Sequence, residues 1–98
     1  MPESETKELA GNSLGKAFGS VLRRLRQDRG LSQEGLGFES GYHRTYISIL
    51  ERGQKSPSLQ TIFNLSKALK IEPAELIKQV ESEPMNYRPK RKLPVLRL

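Results

Sequence analysis

Cysteine and tryptophan are both absent from this chain of 98 residues, and histidine occurs once. Without a thiol there is no disulfide to staple a small fold, no thiolate to hold a metal and no sulfur nucleophile. The lack fits a reducing compartment. A lone histidine leaves no imidazole cluster for a metal and no recognisable nucleophile–base pair. Gly35, Gly37 and Gly41 do not fall at the spacing of a phosphate-cradling loop. The chain therefore reads as a non-enzyme with no catalytic residue, no cofactor and no metal. Long apolar runs are missing too, and none approaches the roughly 18 to 20 residues that span a bilayer. The opening MPESETKELAGNS has neither the basic start nor the apolar stretch of a secretory leader. These absences predict a soluble, cytoplasmic protein with no membrane partner. Acidic residues are the minority charge: 11 Asp and Glu face 17 Lys and Arg, for a net charge of +6. A small domain this basic suits a polyanion, although net charge also serves solubility alone.

What is present divides into three parts. Residues 1–12 are polar and acidic, with Glu3, Glu5 and Glu8 against Lys7, and read as a flexible tail. Residues 13–81 carry the hydrophobic pattern and form one domain. Residues 82–98 hold Pro84, Pro89 and Pro94, five basic residues and an apolar end. Only 35% of the chain is hydrophobic, so the core must be economical, which favours a compact all-α bundle at this length.

Five helices are expected in the body. The first opens at Asn12 or Ser13, either able to cap it, and Leu14, Phe18, Val21, Leu22 and Leu25 share one helical face. Gly30 supplies its left-handed stop. Ser32 caps a second helix over Gln33–Ser40, weakened by Gly35 and Gly37. Gly37 has a packing reason, since a small residue lets the next helix approach; Gly35 offers none. Gly41 turns the chain into a third helix over His43–Glu51, with Ile47 and Leu50 inward and Gly53 as its stop. Ser58 caps a fourth, whose inner face is Leu59, Ile62, Phe63, Leu65 and Leu69. Pro73 begins a fifth with the apolar stripe Leu76, Ile77 and Val80. Only the last six residues suggest a strand.

The stretch Leu31–Gly53 is thus two short helices around a tight turn, the second with a polar leading edge. That is the layout of a helix-turn-helix whose second helix enters the major groove of double-stranded DNA. Base edges are read from the first turns of that helix, which here present Arg44, Thr45 and Ile49. Arg44 can donate two hydrogen bonds to O6 and N7 of guanine, and Thr45 can bond a base or pack on a thymine methyl. Ile49 can touch such a methyl or cover the core. A solvated cation is the plain alternative for Arg44, but a positive charge at a helix N-terminus opposes the helix dipole and calls for compensation. Gln33 opens the second helix beside free backbone N–H groups, a place suited to phosphate. His43, Arg52, Lys55 and Ser58 are further candidates for the DNA backbone, with a solvated loop as the alternative for Arg52 and Lys55.

The residues carrying this reading are Leu31-Ser32-Gln33-Glu34, Gly41, Arg44-Thr45-Tyr46-Ile47-Ser48, Leu50-Glu51-Arg52-Gly53 and Pro57-Ser58-Leu59. Together they resemble the Cro and phage-repressor (Xre-like) helix-turn-helix family over residues 14–80, and look particularly like the controller proteins of restriction–modification systems. The resemblance implies a lambda-repressor-like five-helix domain that regulates transcription as a homodimer on a near-palindromic operator, on the nucleoid. It adds Tyr46 to the backbone contacts, with a core aromatic whose hydroxyl lies at the surface as the alternative, supports Gln33, and pairs Glu51 with Arg26 in a structural salt bridge. Helix five is the implied dimer interface, through Ile71, Leu76, Ile77 and Val80, some of which must instead pack within the monomer. Two departures stand out: Gly35 where the family usually has a second polar or acidic residue, and Gly37 where it has alanine. The first removes a capping-box carboxylate.

Residues 82–98 fall outside the resemblance. Lys90-Arg91-Lys92 can reach a phosphate or minor groove, or equally form a solvated, disordered end, and Leu93, Val95, Leu96 and Leu98 can join a dimer interface or a protein partner. The competing functional class is an antitoxin-like or adaptor module that uses the same fold for protein contacts.

Overall fold

In the computed structural model the backbone is described for residues 2–84 and the side chains for residues 13–84. Five helices follow one another: α1 (Pro2–Asp28), α2 (Gln33–Ser40), α3 (Arg44–Glu51), α4 (Leu59–Leu69) and α5 (Pro73–Ser82). No strand occurs among the described residues.

The first helix starts earlier than expected. It runs for 27 residues from Pro2, so neither Asn12 nor Ser13 caps it. Proline at a helix start loses nothing, because the first N–H groups lack intrahelical acceptors in any case. Ala17, Phe18, Val21 and Leu22 form its buried stripe. Leu14, expected beside them, is 47% exposed. The loop after α3 approaches the neighbouring Gly15, where an added Cβ would lie 3.3 Å from the Gly53 carbonyl oxygen.

The core draws on every helix: Val21 and Leu22 from α1, Leu36 from α2, Ile47 and Leu50 from α3, Leu65 from α4 and Leu76 from α5 are all fully buried. Burying each such side chain is worth about 1.5–3 kcal/mol. Two expectations for α4 fail, since Leu59 is 69% and Phe63 51% exposed. The inner face of α4 is instead set by Thr61, Leu65, Ala68 and Leu69, a stripe at three- and four-residue spacing, with Ile62 half-buried beside it. On α5, Leu76 and Val80 belong to the monomer core, while Ile77 is exposed. The first two are therefore withdrawn from any dimer interface; Ile77 and the half-buried Ile71 remain.

Polar ties lock the outer helices to α1. Arg29 donates to the carbonyl of Ala68 at 2.8 Å, placing a cation at the C-terminal end of α4, where the helix dipole favours it. Glu83, just past α5, accepts from Ser20 at 2.9 Å and from Arg24 at 3.3 Å.

Gly19 has a role that sequence reading missed. A Cβ there would lie 2.4 Å from the carbonyl oxygen of Leu50 and 2.6 Å from that of Glu51. The absent side chain is what lets the end of α3 rest directly on α1. Gly19→Ala is expected to destabilise the domain by about 1–3 kcal/mol despite the better helix propensity of alanine, because backbone must move to admit the methyl. A urea titration followed by circular dichroism checks this, and an unchanged midpoint would show that the contact yields freely.

Candidate nucleic-acid interface

Each helix of the α2–turn–α3 unit is started by a side-chain cap. Ser32 accepts from the N–H of Gly35 at 2.8 Å and begins α2. At Gly35 an added Cβ would sit 3.2 Å from the Ser32 hydroxyl oxygen that makes the cap, a close contact with a side chain that can shift slightly. Gly37 is tighter still, with the Tyr42 carbonyl oxygen 2.4 Å from the Cβ it lacks. Gly41 ends α2 with φ of 84°, a left-handed conformation that glycine adopts without a Cβ clash, and its N–H bonds the Gly37 carbonyl at 2.8 Å. His43 then caps α3 instead of belonging to it, its Nδ1 accepting from the N–H of Thr45 at 3.0 Å. That leaves Nε2 as the outward-facing nitrogen and makes it a donor whenever the ring is neutral.

Ile47 and Leu50 bury one face of α3 completely. The opposite face carries Arg44, Thr45, Ser48, Ile49 and Arg52, at the i, i+1, i+4, i+5 and i+8 spacing of one helical side. Arg44, Thr45 and Arg52 are exposed, while Ile49 is half-buried and stands outside the core. Eight residues give a rod of about 12 Å, of a size to enter a major groove. Arg44 forms no ion pair with another described residue. Lys55 and Ser58 are exposed in the loop leading to α4, and Arg52 bonds only a backbone carbonyl of its own helix, that of Ser48, at 3.3 Å.

Behind this face lies a hydroxyl cluster that the sequence did not announce. Ser58 caps α4 by accepting from the N–H of Thr61 at 3.1 Å. Its hydroxyl also donates to Thr61 Oγ1 at 3.0 Å, and Tyr42 donates to the same oxygen at 3.1 Å. Asn64 donates to the Tyr42 hydroxyl at 2.8 Å. Tyr46 packs against Tyr42 with ring centroids 5.1 Å apart and planes tilted by 50°, and its hydroxyl lies 3.5 Å from Thr61 Oγ1. Either hydroxyl can donate across that gap. Tyr46 is half-buried, its ring packed against the core and its hydroxyl at the edge of the cluster.

Glu51 and Arg26 meet in a two-pronged pair. Arg26 Nε donates to Oε2 at 2.6 Å and Nη2 to Oε1 at 3.0 Å, with the carboxylate side chain only 3% exposed. The bond to Glu51 raises the Arg26 pKa above its ordinary value against the opposing cost of burial. Gln33, expected on phosphate, donates through Nε2 to Glu51 Oε1 at 3.0 Å, which commits one of its two amide protons. The basic run Lys90-Arg91-Lys92 and the apolar end of the chain lie outside the described residues.

Among the described residues no group of His, Asp and Glu is placed to hold a metal ion, and no helix is long and apolar enough to cross a membrane.

Comparison with known proteins agrees with this geometry. A family model described as helix-turn-helix matches residues 22–76. A control protein, C.BamHI of Bacillus amyloliquefaciens, is 43% identical over 67 residues, covering 67% of this chain and 83% of its own. An uncharacterised HTH-type transcriptional regulator, y4dJ of Sinorhizobium fredii, is 37% identical over 73 residues, covering 74% of this chain and 95% of its own. Among solved structures, the restriction–modification controller protein C.AhdI of Aeromonas hydrophila superposes with a TM-score of 0.62 at 52% identity, covering 63% of this chain and 94% of that one.

Proposed function

We propose that this chain, which belongs to the helix-turn-helix family of DNA-binding transcription regulators, reads a specific duplex sequence with the outer face of α3 and controls transcription from that site. The observation that carries the proposal is the division of α3: Ile47 and Leu50 anchor it, and Arg44, Thr45 and Ile49 are left along its free side. Arg44 and Thr45 take base edges and Ile49 a thymine methyl. Gln33, His43, Tyr46, Arg52, Lys55 and Ser58 contact sugar–phosphate on either flank, which sets register without reading sequence.

A single short helix reads too few base pairs to specify a site. Two copies related by two-fold symmetry place two such helices about 34 Å apart, one turn of duplex, on a near-palindrome. Apolar surface for pairing exists where the monomer leaves it uncovered: Ile77 on α5 with the half-buried Ile71, and Leu59 and Phe63 on α4. DNA as the ligand puts the protein's work in the cytoplasm, on the nucleoid. The similarity to C.BamHI and C.AhdI favours a controller of a restriction–modification system.

Selection of bound duplexes from a random pool is expected to return a near-palindrome with half-sites one helical turn apart. On that site the affinity should fall steeply with salt, with a log–log slope of about −4 or beyond for two protomers each neutralising two or three phosphates. An unenriched pool and a flat salt response would refute DNA reading and favour an adaptor that uses the fold for protein contacts.

A further inference from the structure

Glu51 closes α3 and is almost wholly buried, so the obvious role for it is structural. Its hydrogen bonds say more. Oε2 is filled by Arg26 Nε, while Oε1 accepts from both Arg26 Nη2 and Gln33 Nε2, each at 3.0 Å. Arg26 Nη1 is held in turn by the Leu31 carbonyl at 2.8 Å, in the turn just before α2. One carboxylate thereby joins the end of α1, the end of α3 and the first residue of α2.

An ionised carboxylate has no proton to give, so only the NH2 end of the Gln33 amide can face it. The carboxylate therefore decides which way the amide is turned. One N–H goes to Glu51. The planar amide then fixes the direction of the second, and Gln33 is the first residue of α2, where backbone N–H groups lack helical partners. A glutamine left to itself would sample many rotamers and both amide orientations. Arg26 neutralises the carboxylate, so holding Gln33 this way does not set a bare negative charge against a phosphate.

We propose that Glu51 is a positioning residue for DNA binding: it pre-orients the Gln33 amide so that its remaining N–H meets a backbone phosphate. This rests on the reading, given above, that Gln33 touches phosphate. Phosphate contact is blind to sequence, so a duplex of random sequence, about 30 base pairs long, at low salt is a sufficient probe. Gln33→Ala is expected to weaken binding about tenfold. Glu51→Gln should weaken it by a similar factor in the unmutated chain and by less than about twofold in the Gln33→Ala chain, because the two losses are then the same loss. Circular dichroism sets the temperature at which every variant is folded. In the unmutated chain, ¹⁵N-labelled glutamine should show the Gln33 side-chain protons exchanging more slowly than those of exposed Gln54.

If Gln33→Ala leaves affinity unchanged, the phosphate contact itself is refuted. An equal Glu51→Gln effect in both backgrounds would leave the contact standing and overturn the positioning role. Should Glu51→Gln not fold at any workable temperature, the exchange measurement decides, and Gln33 protons exchanging as fast as those of Gln54 would overturn it.

Discussion

Glu51→Ala is expected to destabilise the domain by about 3–5 kcal/mol, the largest loss of stability from any single substitution considered. The reason is what stays behind. Arg26 is only 9% exposed and would keep its charge with the Leu31 carbonyl as its remaining partner. Gln33 would lose its acceptor at the same time. A domain of this size has about 5–10 kcal/mol in all, so the variant should sit near the edge of unfolding at ambient temperature. The loss measures an uncompensated buried cation, not the net worth of the pair. Replacing both partners, Arg26→Met with Glu51→Leu, should therefore recover most of the stability. Urea titrations of the single and double variants check this, with the slope unchanged and only the midpoint moving. Full stability in Glu51→Ala would mean that the pair does not fasten α1 to α3.

The sequence disclosed the helix-turn-helix well because its signals are local. Ser32, Gly41 and Ser58 each act on the backbone within a few residues, and each does so in the structure. Ile47 and Leu50 lie inward because α3 is short and has one apolar edge. Where the outcome depended on which neighbour lies opposite, periodicity misled. Leu14, Leu59 and Phe63 fit an apolar stripe but are left exposed, whereas Leu76 and Val80 are buried in the core and so unavailable to an interface. Small residues were silent for the same reason. Gly19 looks like a weak point in α1 until the carbonyls of Leu50 and Glu51 are seen against it. The end of α4 carries no glycine to announce it: Lys70 takes the left-handed turn with φ of 58°. In the candidate site, residue type and helix position sufficed to nominate Arg44, Thr45 and Gln33. The bond from Gln33 to Glu51, and the cluster in which Thr61 joins Ser58 to Tyr42 and Tyr42 holds Asn64, depend on tertiary contacts 18 or more residues apart along the chain, apart from the local step from Ser58 to Thr61.

Arg44→Ala is the variant in which stability and function should move in opposite directions. Arg44 is the first residue of α3, exposed, at the positive end of the helix dipole. Removing a cation there should stabilise the free chain by about 0.3–1 kcal/mol. Removing a two-pronged guanine contact should cost about 1–3 kcal/mol per protomer in discrimination of the preferred duplex, roughly 5- to 150-fold. A lysine at the same position separates charge from geometry. Arg44→Lys keeps the charge, and with it the binding of random duplex and its salt slope, but a point ammonium cannot make the paired donor contact, so preference for the selected site should fall nearly as far as with alanine. Thermal unfolding of the free chains and competition between selected and random duplexes give the two halves of the test. A residue placed only to solvate the surface would alter neither preference. Full site preference with lysine or alanine would remove Arg44 from the reading face and return it to solvent.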